Sequence, residues 1–195
     1  MKKAGFLLSA WLIAVSALFW ASCSKPPLAE MDAAENAVIR AENDSDAVIF
    51  SGSSLARARE ALARMREEAA SKRHESARNY AAEAVAAADK AISDGRAASA
   101  RARQEAAVLL ATVKTSLEET GQAIGNAKAV ENIDLDFNAV DQDFDAACRT
   151  TDQAEASLEA DRYQDSIEKS RTARGILGDL STKIAGAAVV VSRKK

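Results

Sequence analysis

The stretch of this sequence whose residue types and spacing come nearest to a chemical site is "DLDFNAVDQDFD". Its side chains fall at positions one, three, five and twelve of a calcium loop, as Asp134, Asp136, Asn138 and Asp145. Position six is Ala139, where the sharp turn of such a loop needs a glycine. Carboxylates at the start of a helix explain the same pattern, because they complement the helix dipole. We therefore predict a helix N-terminus here, and no metal site or cofactor in the chain.

Two other residues could take part in chemistry. His74 is the single histidine, which excludes a pair of histidines on one helix face as a metal site. Cys148 is predicted to be a small buried apolar residue, with a redox or dimer-forming thiol as the alternative. The chain has no nucleophile elbow, phosphate loop or paired catalytic signature. We therefore expect no enzyme and no catalytic residues.

Cys23 is the remaining candidate site residue. Lys2 and Lys3 precede an apolar run that ends at Trp20, which is the layout of a secretory signal. The next residues, Ala21-Ser22-Cys23, resemble the end of the bacterial lipobox, where signal cleavage leaves a diacylated cysteine as the first residue. Trp20 departs from the usual aliphatic residue, so the match follows relaxed rules such as those of spirochaetes. The resemblance implies a signal peptide at 1–22, and an acylated Cys23, palmitate included, that starts a tether at 23–27.

Two alternatives to acylation remain open. Residues 4–22 are long enough to span a bilayer as an uncleaved helix, and cleavage at an ordinary site would leave Cys23 as a free thiol. All three interpretations place the body of the protein outside the cytoplasm. We expect it in the cell envelope, anchored to the inner or outer membrane, with its body in the periplasm or at the surface.

Composition predicts the fold class. After Cys23 the chain is rich in Ala, Glu, Arg and Lys, which are strong helix formers, and it has no proline beyond Pro27. Residues 23–195 contain 24 basic and 29 acidic residues, a formal charge of −5, which argues against nucleic acid as a partner. Apolar residues recur at spacings of three and four along nearly the whole chain. The sequence therefore predicts an all-α protein.

Local signals divide these helices. Ser53 or Ser54 is predicted to cap a helix that starts near Leu55, and the segment from Asn132 to Asp136 is predicted to cap the helix that follows it. Gly95 interrupts an Ala-rich run without proline or other turn residues, and one glycine costs a helix only about 1 kcal/mol. One long, slightly bent helix is therefore predicted over residues 75 to 128.

The two halves of the chain carry a similar pattern. "ASKRHESA" at 70–77 and "EADRYQDS" at 159–166 lie 89 residues apart, each between two amphipathic helices. The pattern resembles the "GDYxxA" elbow of tetratricopeptide repeats, with His74 in place of the tyrosine and no glycine. Together with "LARAREAL" at 55–62 it more closely resembles an Ala-rich helical domain of unknown function in bacterial, including spirochaete, envelope lipoproteins. This implies antiparallel helical hairpins in two related units, at 28–105 and 106–186.

A basic segment lies between residues 57 and 78. Its seven cations alternate with Glu60, Glu67, Glu68 and Glu75, so a solvated helix face is favoured over a patch for anionic lipid or glycan. We predict that Glu60 pairs with Arg64 and Arg64 with Glu68, four residues apart on a helix. The cations are Arg57, Arg59, Arg64, Arg66, Lys72, Arg73 and Arg78.

The C-terminal segment at 187–195 is predicted to be an apolar and basic tail. Its terminal lysine resembles that of the major murein lipoprotein, which is bonded to peptidoglycan. From these patterns we expect a membrane-anchored envelope lipoprotein that serves as a helical protein-interaction module or scaffold. Its expected partners are the lipid bilayer, through Cys23, and another envelope protein. The alternative is a structural spacer that links membrane to cell wall, with peptidoglycan as a partner.

Overall fold

The computed structural model describes residues 26–131 and 133–193. Within those residues the regular secondary structure is entirely α-helix, which confirms the predicted all-α class. Cys23 and the signal segment at 1–22 lie outside the described residues. The helices are α1 (Leu28–Asn43), α2 (Ser45–Phe50), α3 (Gly52–Ala70), α4 (His74–Lys128), α5 (Phe137–Glu159) and α6 (Tyr163–Arg193).

Gly95 lies inside α4, which continues without interruption from His74 to Lys128 and so confirms the long helix predicted from the sequence. The glycine is buried where the backbone of α2 crosses α4. A Cβ atom at this position would lie 2.6 Å from the backbone nitrogen of Ala47 and 2.6 Å from the carbonyl carbon of Asp46. Gly95 therefore permits close approach of two backbones and does not end the helix.

Residues 26–96 form a compact unit, which we call unit 1. The buried faces of its helices consist largely of alanine, so the helices approach closely and larger side chains are needed only at a few places. Apolar residues at three- and four-residue spacing in α3 and in the first part of α4 face this core, and Met65 of α3 is fully buried. Leu28 of α1, by contrast, is 65% exposed. It is the first residue of α1, before the buried Ala34, Ala37, Val38 and Ala41.

Residues 97–193 form a second compact unit, unit 2, from the last part of α4 together with α5 and α6. Its core has two neighbouring clusters. One contains Val113, Ala147, Ala173 and Leu177, and the other contains Ile124, Val140, Leu180 and Ile184. Phe144 of α5 packs against both clusters. The boundary predicted at 105/106 lies within α4, and the compact units divide after Arg96.

Two turns have the same hydrogen bonds, 89 residues apart. In elbow 1 (residues 71–73) the backbone N–H of Lys72 donates to Ala69 and that of Arg73 donates to Glu68. In elbow 2 (residues 160–162) Asp161 donates to Leu158 and Arg162 donates to Ser157. This pair of bonds defines a Schellman C-cap, in which one residue adopts the left-handed conformation. Lys72 and Asp161 have φ angles of 58° and 56°, where glycine is the usual residue.

The helix starts test the predicted caps. Asp136 caps α5, because its Oδ1 accepts from the backbone N–H groups of Asn138 and Ala139 at 3.0 and 3.2 Å. The prediction for Ser53 and Ser54 is wrong. The helix begins earlier, at Gly52, so both serines lie inside its first turn. At the other end of the chain α6 continues through the predicted tail as far as Arg193.

Candidate functional site

The α3–α4 surface of unit 1 carries the candidate functional site, an open groove along the antiparallel pair. One part of the groove, of about 420 Å³, is lined by Ser53, Ser54, Arg57, Glu83, Ala86, Ala87 and Lys90. A second part, of about 720 Å³, shares three of these residues and extends to Arg64 and Tyr80. Ala56 and Ala61 of α3 and Ala86 and Ala87 of α4 form an alanine floor between the longer side chains that line the groove. The groove can therefore accept an elongated apolar or amphipathic chain.

Charged side chains cross this groove. The Arg57 guanidinium donates to Glu83 Oε1 from Nε at 3.1 Å and from Nη2 at 2.8 Å, which joins α3 to α4. Both side chains are well exposed, at 71% and 39%, so the pair adds little stability and a ligand could displace it at small cost. The groove thus combines an alanine floor with a charged, adaptable rim. The sequence indicates the floor only weakly, because just two of its alanines, Ala56 and Ala86, are at exposed helix positions.

The basic segment predicted as a solvated face consists mainly of ion pairs in unit 1. Arg59 bonds Glu42 at 2.7 Å, and Arg66 bonds Glu35 at 3.0 Å, so both link α3 to α1. The pairs predicted for Arg64 are not its salt bridges, because Arg64 lies 3.8 Å from Glu67 while Glu68 bonds Arg73 and interacts with the Arg64 charge at longer range. Hydrogen bonding lowers the pKa of the Glu68 carboxyl and raises the pKa of the Arg73 guanidinium. Most of the cations are therefore neutralised by neighbouring carboxylates. Those pairs are Arg57–Glu83, Arg59–Glu42, Arg64–Glu67, Arg66–Glu35, Arg73–Glu68 and Arg78–Glu30.

The acidic stretch at 134–145 is the start of a helix. From Phe137 onward it is helical, so Asp145 lies about two turns inside α5 and cannot close a calcium loop with Asp134. Asp136 caps the helix, and Lys128 bonds Asp141 at 2.8 Å. No group of three or more metal-ligating side chains occurs within residues 26–131 and 133–193.

The structure also places the two remaining sequence candidates, Cys148 and His74. Cys148 is half-buried, where burial and the carboxylates of Asp145 and Asp152 raise the pKa of its thiol, so the thiol is a weak nucleophile at neutral pH. His74 is the first residue of α4 and is half-buried beside elbow 1. Its Nδ1 is buried without a hydrogen-bond partner. Tyr163 occupies the same position at elbow 2, as the predicted alignment of the two elbows requires.

A polar cluster at elbow 2 was not predicted from the sequence. Ser157 Oγ lies 2.7 Å from Asp165 Oδ2 and 3.0 Å from Lys169 Nζ, and the lysine also bonds Asp165 at 2.6 Å. Hydrogen bonds from Lys169 and Ser157 lower the pKa of Asp165 to about 2. A serine beside a lysine is a known nucleophile arrangement, but Ser157 is 0% exposed and no substrate can reach its hydroxyl. The cluster therefore stabilises the elbow.

Comparison of the chain with known protein families, with curated proteins and with solved structures found no match. Among the helices at residues 26–131 and 133–193, none is both long enough and apolar enough to cross a membrane. The class defined by fold and site is thus an all-α protein with an open groove on one helix pair.

Proposed function

We propose that this chain is a lipoprotein of the bacterial cell envelope, anchored by an acylated Cys23 after removal of residues 1–22. Its body is a helical protein-interaction module without catalytic activity. The sequence around Cys23 supports the anchor. The α3–α4 groove is the single observation that supports the interaction module, because its alanine floor is open to solvent between charged side chains. An amphipathic helix or extended peptide of another envelope protein is the proposed ligand.

The proposal includes two related tetratricopeptide-like hairpins, α3–α4 and α5–α6. The identical hydrogen bonds of elbows 1 and 2 support it, as do buried positions that repeat at a separation of 89 residues. Buried residues of unit 1 and their counterparts in unit 2 are Ala58 and Ala147, Met65 and Ala154, Ala77 and Ser166, Ala84 and Ala173, and Ala88 and Leu177. In repeat proteins of this kind, grooves between helices commonly bind peptides.

Site-specific crosslinking tests the interaction module. A photoreactive amino acid replaces Ala86, which is exposed in the groove, and in a matched control it replaces Ala63, which lies on the α1–α3 side of α3. Irradiation of intact cells should give a discrete crosslinked species from position 86 and none from position 63. Equal crosslinking at the two positions would contradict a specific groove ligand.

Mass spectrometry of the N-terminal peptide tests the anchor separately. A peptide that begins at an acylated Cys23 is the expected result. A peptide that begins at Met1, or a Cys23 thiol that reacts freely with maleimide, would contradict it. The spacer alternative predicts covalently bound protein in purified peptidoglycan, whereas the interaction module should be released completely by detergent.

A further inference from the structure

In unit 1 the direction of α1 determines where the N-terminal tether meets the folded body. Glu42 pairs with Arg59, Glu35 pairs with Arg66, and Glu30 pairs with Arg78. As the residue numbers in α1 decrease, the partners move along α3 toward elbow 1 and into the first turns of α4. Helix α1 therefore runs antiparallel to α3, and its first residue, Leu28, lies at the elbow end of unit 1.

The chain between Cys23 and Leu28 is short. Its five residue steps span at most about 18 Å when fully extended. The headgroup layer of one leaflet is about 5–8 Å thick. An acylated Cys23 therefore keeps the elbow end of unit 1 within reach of the headgroups. The opposite end of α3 is about 27 Å farther along the helix axis, since 18 residues separate Ser53 from Ser71.

The chemistry of the elbow end suits a bilayer surface. Leu28 is 65% exposed and offers an apolar side chain beside the tether. The nearby charges form the pairs Glu30–Arg78 and Glu68–Arg73, and the exposed Lys72 and Glu75 have opposite signs. Lys25 of the tether adds a single positive charge. Such a surface is neither strongly attracted to anionic lipid nor repelled by it. Contact then depends on the anchor and on the apolar side chain.

We propose that the elbow end of unit 1, residues 26–30 and 70–75, is the face that lies on the phospholipid headgroups, with Leu28 in the interface. The far end of α3 then points away from the membrane. This leaves the α3–α4 groove open to a partner beside the bilayer. The inference rests on the proposed acylation of Cys23.

Headgroup quenching tests this orientation on the acylated full chain. Cys148→Ser removes the second thiol, and a fluorophore is attached to either Ser71→Cys or Ser53→Cys. These two serines are exposed at opposite ends of α3 and form a matched pair. The proteins are reconstituted in phosphatidylcholine vesicles that contain lipid with a nitroxide headgroup. Quenching should be several-fold stronger at position 71 than at position 53, and it should not change when NaCl is added.

The outcomes separate orientation from anchoring. Equal quenching at the two positions, or stronger quenching at position 53, would overturn the orientation. The anchor would still stand in that case if mass spectrometry found an acylated N-terminal peptide. A peptide that begins at Met1 would overturn both. Leu28→Ser should reduce quenching at position 71, and unchanged quenching would overturn the contact assigned to Leu28. Circular dichroism of each variant controls for folding.

Discussion

Gly95→Ala should destabilise unit 1, although alanine is the better helix former. In a helix interior the substitution alone would contribute about 1 kcal/mol of stability. Here the new Cβ would lie 2.6 Å from backbone atoms of Ala47 and Asp46, against a normal carbon contact of about 3.5–4.0 Å. A backbone cannot rotate away as a flexible side chain can, so α2 must shift by about 1 Å.

That shift has a calculable cost. Overpacking of this kind costs about 1–3 kcal/mol. The movement of α2 also disturbs its N-cap, in which Asp44 Oδ1 accepts from Ala47 N at 3.0 Å and Asp44 Oδ2 accepts from Arg96 at 2.9 Å. Loss of a cap costs about 1 kcal/mol. After the gain in helix propensity is subtracted, a net loss of about 1–3 kcal/mol is expected.

The matched control is Gly175→Ala in the interior of α6, where a new Cβ meets no atom within 4 Å. This change should increase stability by up to about 1 kcal/mol. Urea unfolding followed by circular dichroism measures both variants, and hydrogen exchange should show faster exchange in residues 45–50 of Gly95→Ala alone. If Gly95→Ala were as stable as Gly175→Ala, the close contact between α2 and α4 would be refuted.

The remaining predictions concern the elbows and the polar residues near them. Lys72→Gly should stabilise the protein by about 1 kcal/mol, because Lys72 has a φ of 58°; a loss in thermal unfolding experiments would contradict the assigned conformation. Ser166→Ala and Ser170→Ala should each stabilise by about 1 kcal/mol, since both hydroxyls are fully buried without a hydrogen-bond partner. Ser157→Ala should destabilise the protein, because the Ser157 hydroxyl is hydrogen-bonded to Asp165. A change in unfolding free energy of the same sign for all three serine variants would contradict this difference. The pKa of Asp165 is lowered from 3.8 to about 2, so its contribution is present above pH 3.8 and is lost as the pH falls toward 2. Asp165→Asn should therefore unfold at lower temperature than the native protein at neutral pH, and the difference should disappear near pH 2.

Much of the fold follows from local sequence signals. The three- and four-residue spacing of alanines and aliphatic residues predicts the buried faces of α3 and α6, since helical geometry alone determines which residues share a face. Asp136 is identified as a cap because its side chain interacts only with the next few residues. The start of α3 was missed, because the helix begins at Gly52 after Ser51, whose side chain makes no capping hydrogen bond and so gives no capping signal.

The candidate site was less predictable than the fold. The groove depends on how closely α3 approaches α4. The sequence shows Ala86 only as one alanine among many, and the structure places it in the groove beside the Arg57–Glu83 pair. The pairs formed by the basic segment were predicted within one helix. The structure instead forms most of them between helices, because the antiparallel packing of α1 on α3 places Glu35 and Glu42 beside the arginines.

The sequence by itself determined the helical class, the two similar elbows and the long α4, because these depend on propensity and on contacts between near neighbours. Only the tertiary structure shows that a side chain at residue 95 would collide with the backbone of α2, and which arginine pairs with which glutamate. It alone shows that Ser157 is buried from solvent. The physical reason is that each of these depends on the distance between segments far apart in the chain. A pattern along one helix contains no information about that distance.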